Sequence, residues 1–256
     1  MNRYATFLGL SLFVFGITGC GKKDDASVEH ANKVTKRDDT VSEILLAFNN
    51  KDYETSERLI FSFLSEFPDD AATPSMQLRL ADIQYELQKY PQAYGAYRDF
   101  SERYPAHEKA EYAVYKAAHA KFVQANHVNC DPTPTEETIR HCKSYLARND
   151  FNEFRTQMRN LERTCQQRLI DREFYIANSY INQHKLTSAH NRLDLIKSSF
   201  DLSAYNAEDK ALFYQAKLAK KENNMEELSD IIENLHADHP TSHFTAMADR
   251  LEKSWF

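Results

Sequence analysis

Apolar residues recur along this chain at intervals of three and four, from residue 44 almost to its end. Ile44, Leu45 and Phe48 open the pattern, followed by Leu59, Ile60, Phe63, Leu64 and Phe67. Further on come Leu80, Ile83 and Leu87, then Ile176, Tyr180 and Ile181, and finally Leu228, Ile231, Ile232 and Leu235. Such spacing gathers apolar side chains on one face of a helix with about 3.6 residues per turn. The breakers Pro68, Pro74, Pro91, Pro105, Pro132, Pro134 and Pro240 fall at the ends of the periodic stretches. The pattern predicts an all-α chain of about ten helices.

The punctuation itself is periodic. Tyr53 precedes Pro68 by 15 residues, Tyr90 precedes Pro105 by 15, and Met225 precedes Pro240 by 15. Each of these prolines follows an aromatic residue or a histidine: Phe67, Tyr104 and His239. The tetratricopeptide pattern has large residues at repeat positions 7, 11 and 24, small ones at 8 and 20, and proline at 32. With Pro105 at position 32, Leu80, Ala81, Ala93 and Tyr97 occupy positions 7, 8, 20 and 24, while Gln84 breaks the pattern at 11. With Asp201 at position 32, Ile176, Ala177, Tyr180, Ala189 and Leu193 fill 7, 8, 11, 20 and 24. The expected fold is an α-solenoid of about five degenerate tetratricopeptide helical hairpins over residues 41–256. The interval between repeats is uneven, and an irregular helical bundle is the alternative.

Glycine narrows the function classes. Of five glycines only Gly95 lies beyond residue 21. Phosphate loops, nucleophile elbows and tight hairpins usually take glycine at positive φ, and GxGxxG, Walker A and GxSxG motifs are absent. The reading is therefore of a protein without catalysis and without a cofactor.

The N-terminus changes the picture again. Phe7 to Ile17 is an apolar run of 11 residues behind Arg3, too short to span a bilayer, and reads as a removable signal. Ile17-Thr18-Gly19-Cys20 resembles a bacterial lipobox, which makes Cys20 the expected lipid attachment site and residues 1–19 the signal peptide. Acyl chains contribute about 0.8 kcal/mol per buried methylene to membrane attachment. Gly21, and not Asp, follows the cysteine, so the outer membrane is the expected destination. Residues 20–40 are charged, without aromatics or periodicity, and read as a flexible tether. Without Arg3, 31 basic and 38 acidic residues remain, a net charge of −7 that argues against nucleic-acid binding. Mean hydropathy is −0.66.

Two clusters are candidates for chemistry. His236, Asp238, His239 and His243 have ligand-like spacing, but Pro240 ends the helix before His243; a polar helix end, with no metal, is the expectation. Beyond Cys20 there are three cysteines. Cys142 falls at a packing position of the third repeat and is expected to be buried and reduced. Cys130 precedes a helix starting near Pro134, and the next helix returns antiparallel after a turn near Asn149. Residues around 164 then lie level with Cys130, making Cys130–Cys165 the disulfide candidate.

Stacked hairpins leave a concave surface that extended partners bind. Gln77, Gln84 and Gln88, with Tyr85 and Tyr90, are the expected groove residues of the first repeats. Amides and phenols bond an extended backbone, and rings accept aromatic side chains.

Lipobox, tether and five degenerate repeats together resemble the BamD family of outer-membrane assembly lipoproteins. Three stretches carry the likeness: KYPQAYGAYRDFSERYP at Lys89 to Pro105 with Ala106-His107, AEYAVYKAA at Ala110 to Ala118, and Asp131-Pro132-Thr133-Pro134-Thr135. The short Asn126 to Cys130 loop and the Arg148-Asn149-Asp150 ending depart from the family pattern. The resemblance implies a scaffold in β-barrel assembly, facing the periplasm among other assembly lipoproteins. Its N-terminal repeats would receive unfolded outer-membrane proteins, and its C-terminal repeats would dock on the last POTRA domain of a BamA-type barrel. Arg192 matches the family arginine that meets an acidic residue of that domain. A secretin pilotin, or a repeat protein coordinating envelope constriction with peptidoglycan synthesis, shares this architecture and remains the alternative.

Overall fold

The computed structural model describes residues 22–125 and 131–253, and helices occupy most of them. In order they are α1 (Lys22–Asn49), α2 (Tyr53–Glu66), α3 (Thr73–Glu86), α4 (Tyr90–Arg103), α5 (Ala110–Gln124) and α6 (Thr133–Leu146). There follow α7 (Arg155–Asn182), α8 (Leu186–Ser199), α9 (Glu208–Glu222), α10 (Met225–Asp238) and α11 (His243–Lys253). The fold is all-α and built of tetratricopeptide-like hairpins, with one helix more than the periodicity predicts. The chain divides into two compact units after Asp69. The signal peptide, Cys20 and Cys130 lie outside the described residues.

The first unit is the α1–α2 hairpin. Ile44, Ile60 and Phe63 are fully buried in it, and Phe67 packs on Phe63 at 5.2 Å between ring centroids. Residues 22–40 differ from the tether expected there: they continue α1 as helix. No glycine or proline interrupts 22–49, so nothing in the backbone chemistry stops the helix. Lys36 pairs with Glu66 at 2.6 Å, and the Lys33 ammonium lies 5.8 Å from the Phe67 ring. Those contacts to α2 replace the missing apolar stripe.

The second unit stacks α3–α4, α5–α6, α7–α8 and α9–α10, with α11 packed on α9 and α10. Small residues stand where the sequence pattern places them. Ala81 and Ala93, and Ala177 and Ala189, are fully buried in their respective clusters. Tyr97 and Phe100 fill the α3–α4–α5 layer, while Phe174, Ile181, Leu193 and Ile196 fill the α7–α8 layer. α7 serves two neighbours: Met158 and Leu161 pack with Cys142 and Tyr145 of α6, while Ile170 to Ile181 belong to the next cluster.

Four hairpins share one turn. Lys51, Gln88, His184 and Asn223 have φ of 60°, 58°, 56° and 60°, the left-handed region. In each, the next residue's amide reaches back five residues: Asp52 to Ala47, Lys89 to Gln84, Lys185 to Tyr180, Asn224 to Ala219. This is the Schellman closure of a helix, made without glycine. The second helix then begins two residues after the left-handed residue and runs 14 residues in all four cases. That fixed geometry is the physical source of the 15-residue offset in the sequence.

Candidate peptide-binding and docking faces

Helix α5 presents two different faces. Ala113, Ala117 and Ala120 turn inward against Ala81, Tyr97 and Phe100. Tyr115, His119 and Phe122, spaced by four and three, are only half-buried and join a chain of rings. Tyr90 meets Tyr85 edge-on at 5.4 Å, and Tyr85 lies 5.8 Å from His119. His119 is 6.1 Å from Tyr115 and 5.9 Å from Phe122, and Tyr115 stacks on Phe154 at 4.7 Å with the rings 3° from parallel. The band thus runs from the start of α4 to the start of α7.

Two cations are set into it. The Lys116 ammonium lies 3.6 Å from the Tyr85 ring centroid, and the Arg168 guanidinium lies 3.9 Å from that of Phe122. Cations over ring faces gain about 0.5–2 kcal/mol, more as water is excluded. Arg168 Nη1 is buried and has no hydrogen-bond partner among the described residues. Tyr85 Oη sits 2.6 Å from His119 Nδ1. Burial pushes the Tyr85 phenol up to about 12, and burial, then the Lys116 charge, holds the His119 imidazole below its ordinary value.

Beneath the band lies a buried carboxylate. Asp82 Oδ1 accepts from Tyr97 Oη at 2.6 Å and from Tyr112 Oη at 2.9 Å. Burial raises Asp82, opposed by those two bonds and by the Lys116 and Arg79 charges. Glu111, on the same helix, accepts from the Tyr145 hydroxyl and from the Glu153 amide at 2.6 Å. The polar residues of the AEYAVYKAA stretch therefore have local tasks: Glu111 ties α5 to the start of α7, Tyr112 holds Asp82, and Tyr115 stacks on Phe154.

Of the groove residues read from sequence, Tyr85 and Tyr90 are in the band. Gln77 is half-buried on α3. Gln84 is buried, 8% exposed, with Oε1 unpartnered, so it occupies the packing position where the repeat pattern wants an apolar residue. Its amide is not on offer to an extended backbone. Gln88 is exposed, but it is the left-handed residue of the α3–α4 turn and not part of a helix face. The spacing of Tyr115, His119 and Phe122 opposite three alanines was the available signal for the part of the band that sequence reasoning missed.

A second polar cluster joins α7 and α8. Glu173, its side chain 13% exposed, takes Arg172 Nη1 on one oxygen at 3.0 Å and Arg192 Nη1 on the other at 2.6 Å. Arg192, 27% exposed, is accordingly neither fully solvated nor buried. Farther along, phenyl and leucyl groups of Phe200, Leu202 and Leu212, with Asp201, Glu208 and Asp238, line a cleft of about 640 Å³. His236 Nε2 lies 2.9 Å from Asp249 Oδ1. Cys142 and Cys165 are fully buried free thiols, and burial pushes them up to about 12 and about 11.

No curated protein is significantly similar to the chain. Among solved structures it is similar to three tetratricopeptide-repeat proteins. One is from Parabacteroides merdae, with TM-score 0.36, 14% identity, and coverage of 86% of this chain and 74% of that one. Another is the P58(IPK) TPR domain, with TM-score 0.46, 12% identity, and coverage of 93% and 72%. A third is a thermophilic TPR protein of Thermus thermophilus, with TM-score 0.34, 13% identity, and coverage of 84% and 98%. The fold itself rests on the helix order, the shared turns and the packing described above. Among the described residues no helix is long and apolar enough to cross a membrane. The family profile YfiO, described as outer membrane lipoprotein, matches residues 37–230, well over half of the sequence. The chain belongs to this BamD-type (YfiO) family of outer membrane lipoproteins.

Proposed function

We propose that this lipoprotein is a non-catalytic scaffold of the β-barrel assembly machinery, anchored through lipid on Cys20 and facing the periplasm. Its repeats from α3 to α7 receive a segment of an unfolded outer-membrane protein. Its α7–α8 hairpin, through Arg192, docks on the POTRA domain of a BamA-type barrel. The observation that carries the reading is the continuous ring band from Tyr90 to Phe154 with Lys116 and Arg168 set into it. Rings accept aromatic side chains edge-on or stacked, and the two cations attract a carboxylate beside them. Barrel strands that end in an aromatic residue and a free carboxylate offer that combination. Family membership supports the outer-membrane setting.

The test is anisotropy of a labelled ten-residue peptide ending in phenylalanine, titrated with the soluble domain. Tyr85→Ala and Lys116→Glu each weaken binding by about tenfold or more. A peptide ending in serine binds no better than those variants. Equal affinity for both peptides, untouched by either substitution, contradicts the assignment of this face.

A further inference from the structure

The Arg172–Glu173–Arg192 cluster is built unlike an ordinary surface ion pair. One carboxylate, mostly buried, serves two arginines through a single nitrogen of each. A guanidinium has five N–H donors in a rigid fork. The remaining donors of Arg172 and Arg192 have no hydrogen-bond partner among the described residues. The cluster carries two positive charges against one negative, in a protein whose formal net charge is −6.

Apolar surface lies beside it. Tyr175, 48% exposed, follows Arg172 by three residues on α7, and Leu195, 44% exposed, follows Arg192 by three on α8. Residues three apart share a helix face. α7 and α8 pack directly on each other, and Arg192 reaches Glu173 across that contact. Arginine and tyrosine beside an exposed aliphatic residue is the composition of interface hot spots.

We propose that Arg172, Arg192, Tyr175 and Leu195 form one docking patch, with Glu173 as the residue that positions both guanidiniums. The occupant is a folded protein surface presenting a carboxylate next to an apolar patch. The proposal rests on the docking reading above and deepens it. Glu173 holds each arginine by one donor and leaves the rest of the fork outward, so the partner carboxylate meets a preorganised site. Tyr175 and Leu195 then cover the new ion pairs and exclude water from them.

Glu173→Gln separates positioning from charge. Removing a negative charge makes the patch more cationic, and electrostatics alone would tighten binding to an acidic surface. Positioning demands the reverse. The experiment is calorimetric titration of the soluble domain with the purified periplasmic POTRA fragment of the cognate BamA-type protein, at two salt concentrations. Glu173→Gln, with its helical circular dichroism unchanged, weakens binding about tenfold, and Arg192→Lys does not preserve it. Tyr175→Ala and Leu195→Ala, both on exposed positions that folding does not need, weaken it about tenfold each. If Arg192→Glu abolishes binding while Tyr175→Ala, Leu195→Ala and Glu173→Gln leave it unchanged or tighter, the docking reading stands and the patch is overturned. If the wild-type domain does not bind the fragment, both fall.

Discussion

At the scale of single residues, the chain turns its hairpins without the residue best suited to do so. A left-handed backbone costs a non-glycine residue about 1–2 kcal/mol, and asparagine less. Lys51, Gln88 and His184 bear that cost in full, while Asn223 bears it lightly. Gln88→Gly and His184→Gly should each stabilise the protein by about 0.5–1 kcal/mol, the glycine's greater freedom when unfolded offsetting part of the gain. Urea unfolding of both variants checks this, and a loss of stability would mean that the side chains hold the turns by other contacts. Titration gives a second residue-scale expectation. His119 bonds Tyr85 at 2.6 Å and His141 bonds Tyr94 at 3.1 Å, and burial lowers both imidazoles. Their folded pKa values lie below the unfolded value of about 6.5, so the unfolded chain binds more protons in that window. Stability from these two sites is complete above pH 6.5 and is lost as pH falls below it. The urea midpoint should therefore drop between pH 7.5 and 5.5, and drop less in His119→Gln. An unchanged pH dependence in that variant would remove His119 from the account.

At the scale of helices, periodicity and proline spacing foretold most of the architecture, because both follow from turn geometry that repeats. Tyr53, Tyr90 and Met225 do begin second helices, and Ala81–Ala93 and Ala177–Ala189 do meet in the core. What the pattern could not foretell was set by contacts distant in sequence. Residues 22–40 look like a tether because they lack an apolar stripe, yet Lys33 and Lys36 find Phe67 and Glu66 on α2. Gln84 reads as a groove amide by its chemistry and is buried by its position. The ring band is half legible: Tyr85 and Tyr90 can be read from the sequence, but Phe154 and Arg168 arrive from a helix 28 residues long whose return path only the fold reveals. Glu111 shows how such returns are fixed, since one carboxylate on α5 accepts from Tyr145 of α6 and from the amide of Glu153 before α7. Glu111→Ala leaves the buried Tyr145 hydroxyl without that acceptor and should cost about 1–3 kcal/mol, with Glu111→Gln recovering part of it. Thermal unfolding of the two variants decides; equal, negligible losses would show that α7 docks on α5 by its apolar contacts alone.

At the scale of the whole molecule, the proposed account is of an adaptor with two working faces and no chemistry of its own. Within the second unit, one face is aromatic and faintly cationic, the other an arginine pair braced by a glutamate. Helical hairpins suit this division, since each face is carried by its own neighbouring pair and can change without unmaking the other. The acidic charge of the chain keeps it off nucleic acid, and the family places it at the outer membrane. The most direct measurement is affinity purification of the full lipidated chain from detergent-solubilised outer membranes, with partners identified by mass spectrometry. The account predicts recovery of a BamA-type barrel with POTRA domains, much reduced by Arg192→Glu. Recovery of a secretin or of peptidoglycan-synthesis proteins, with no BamA-type partner, would contradict it.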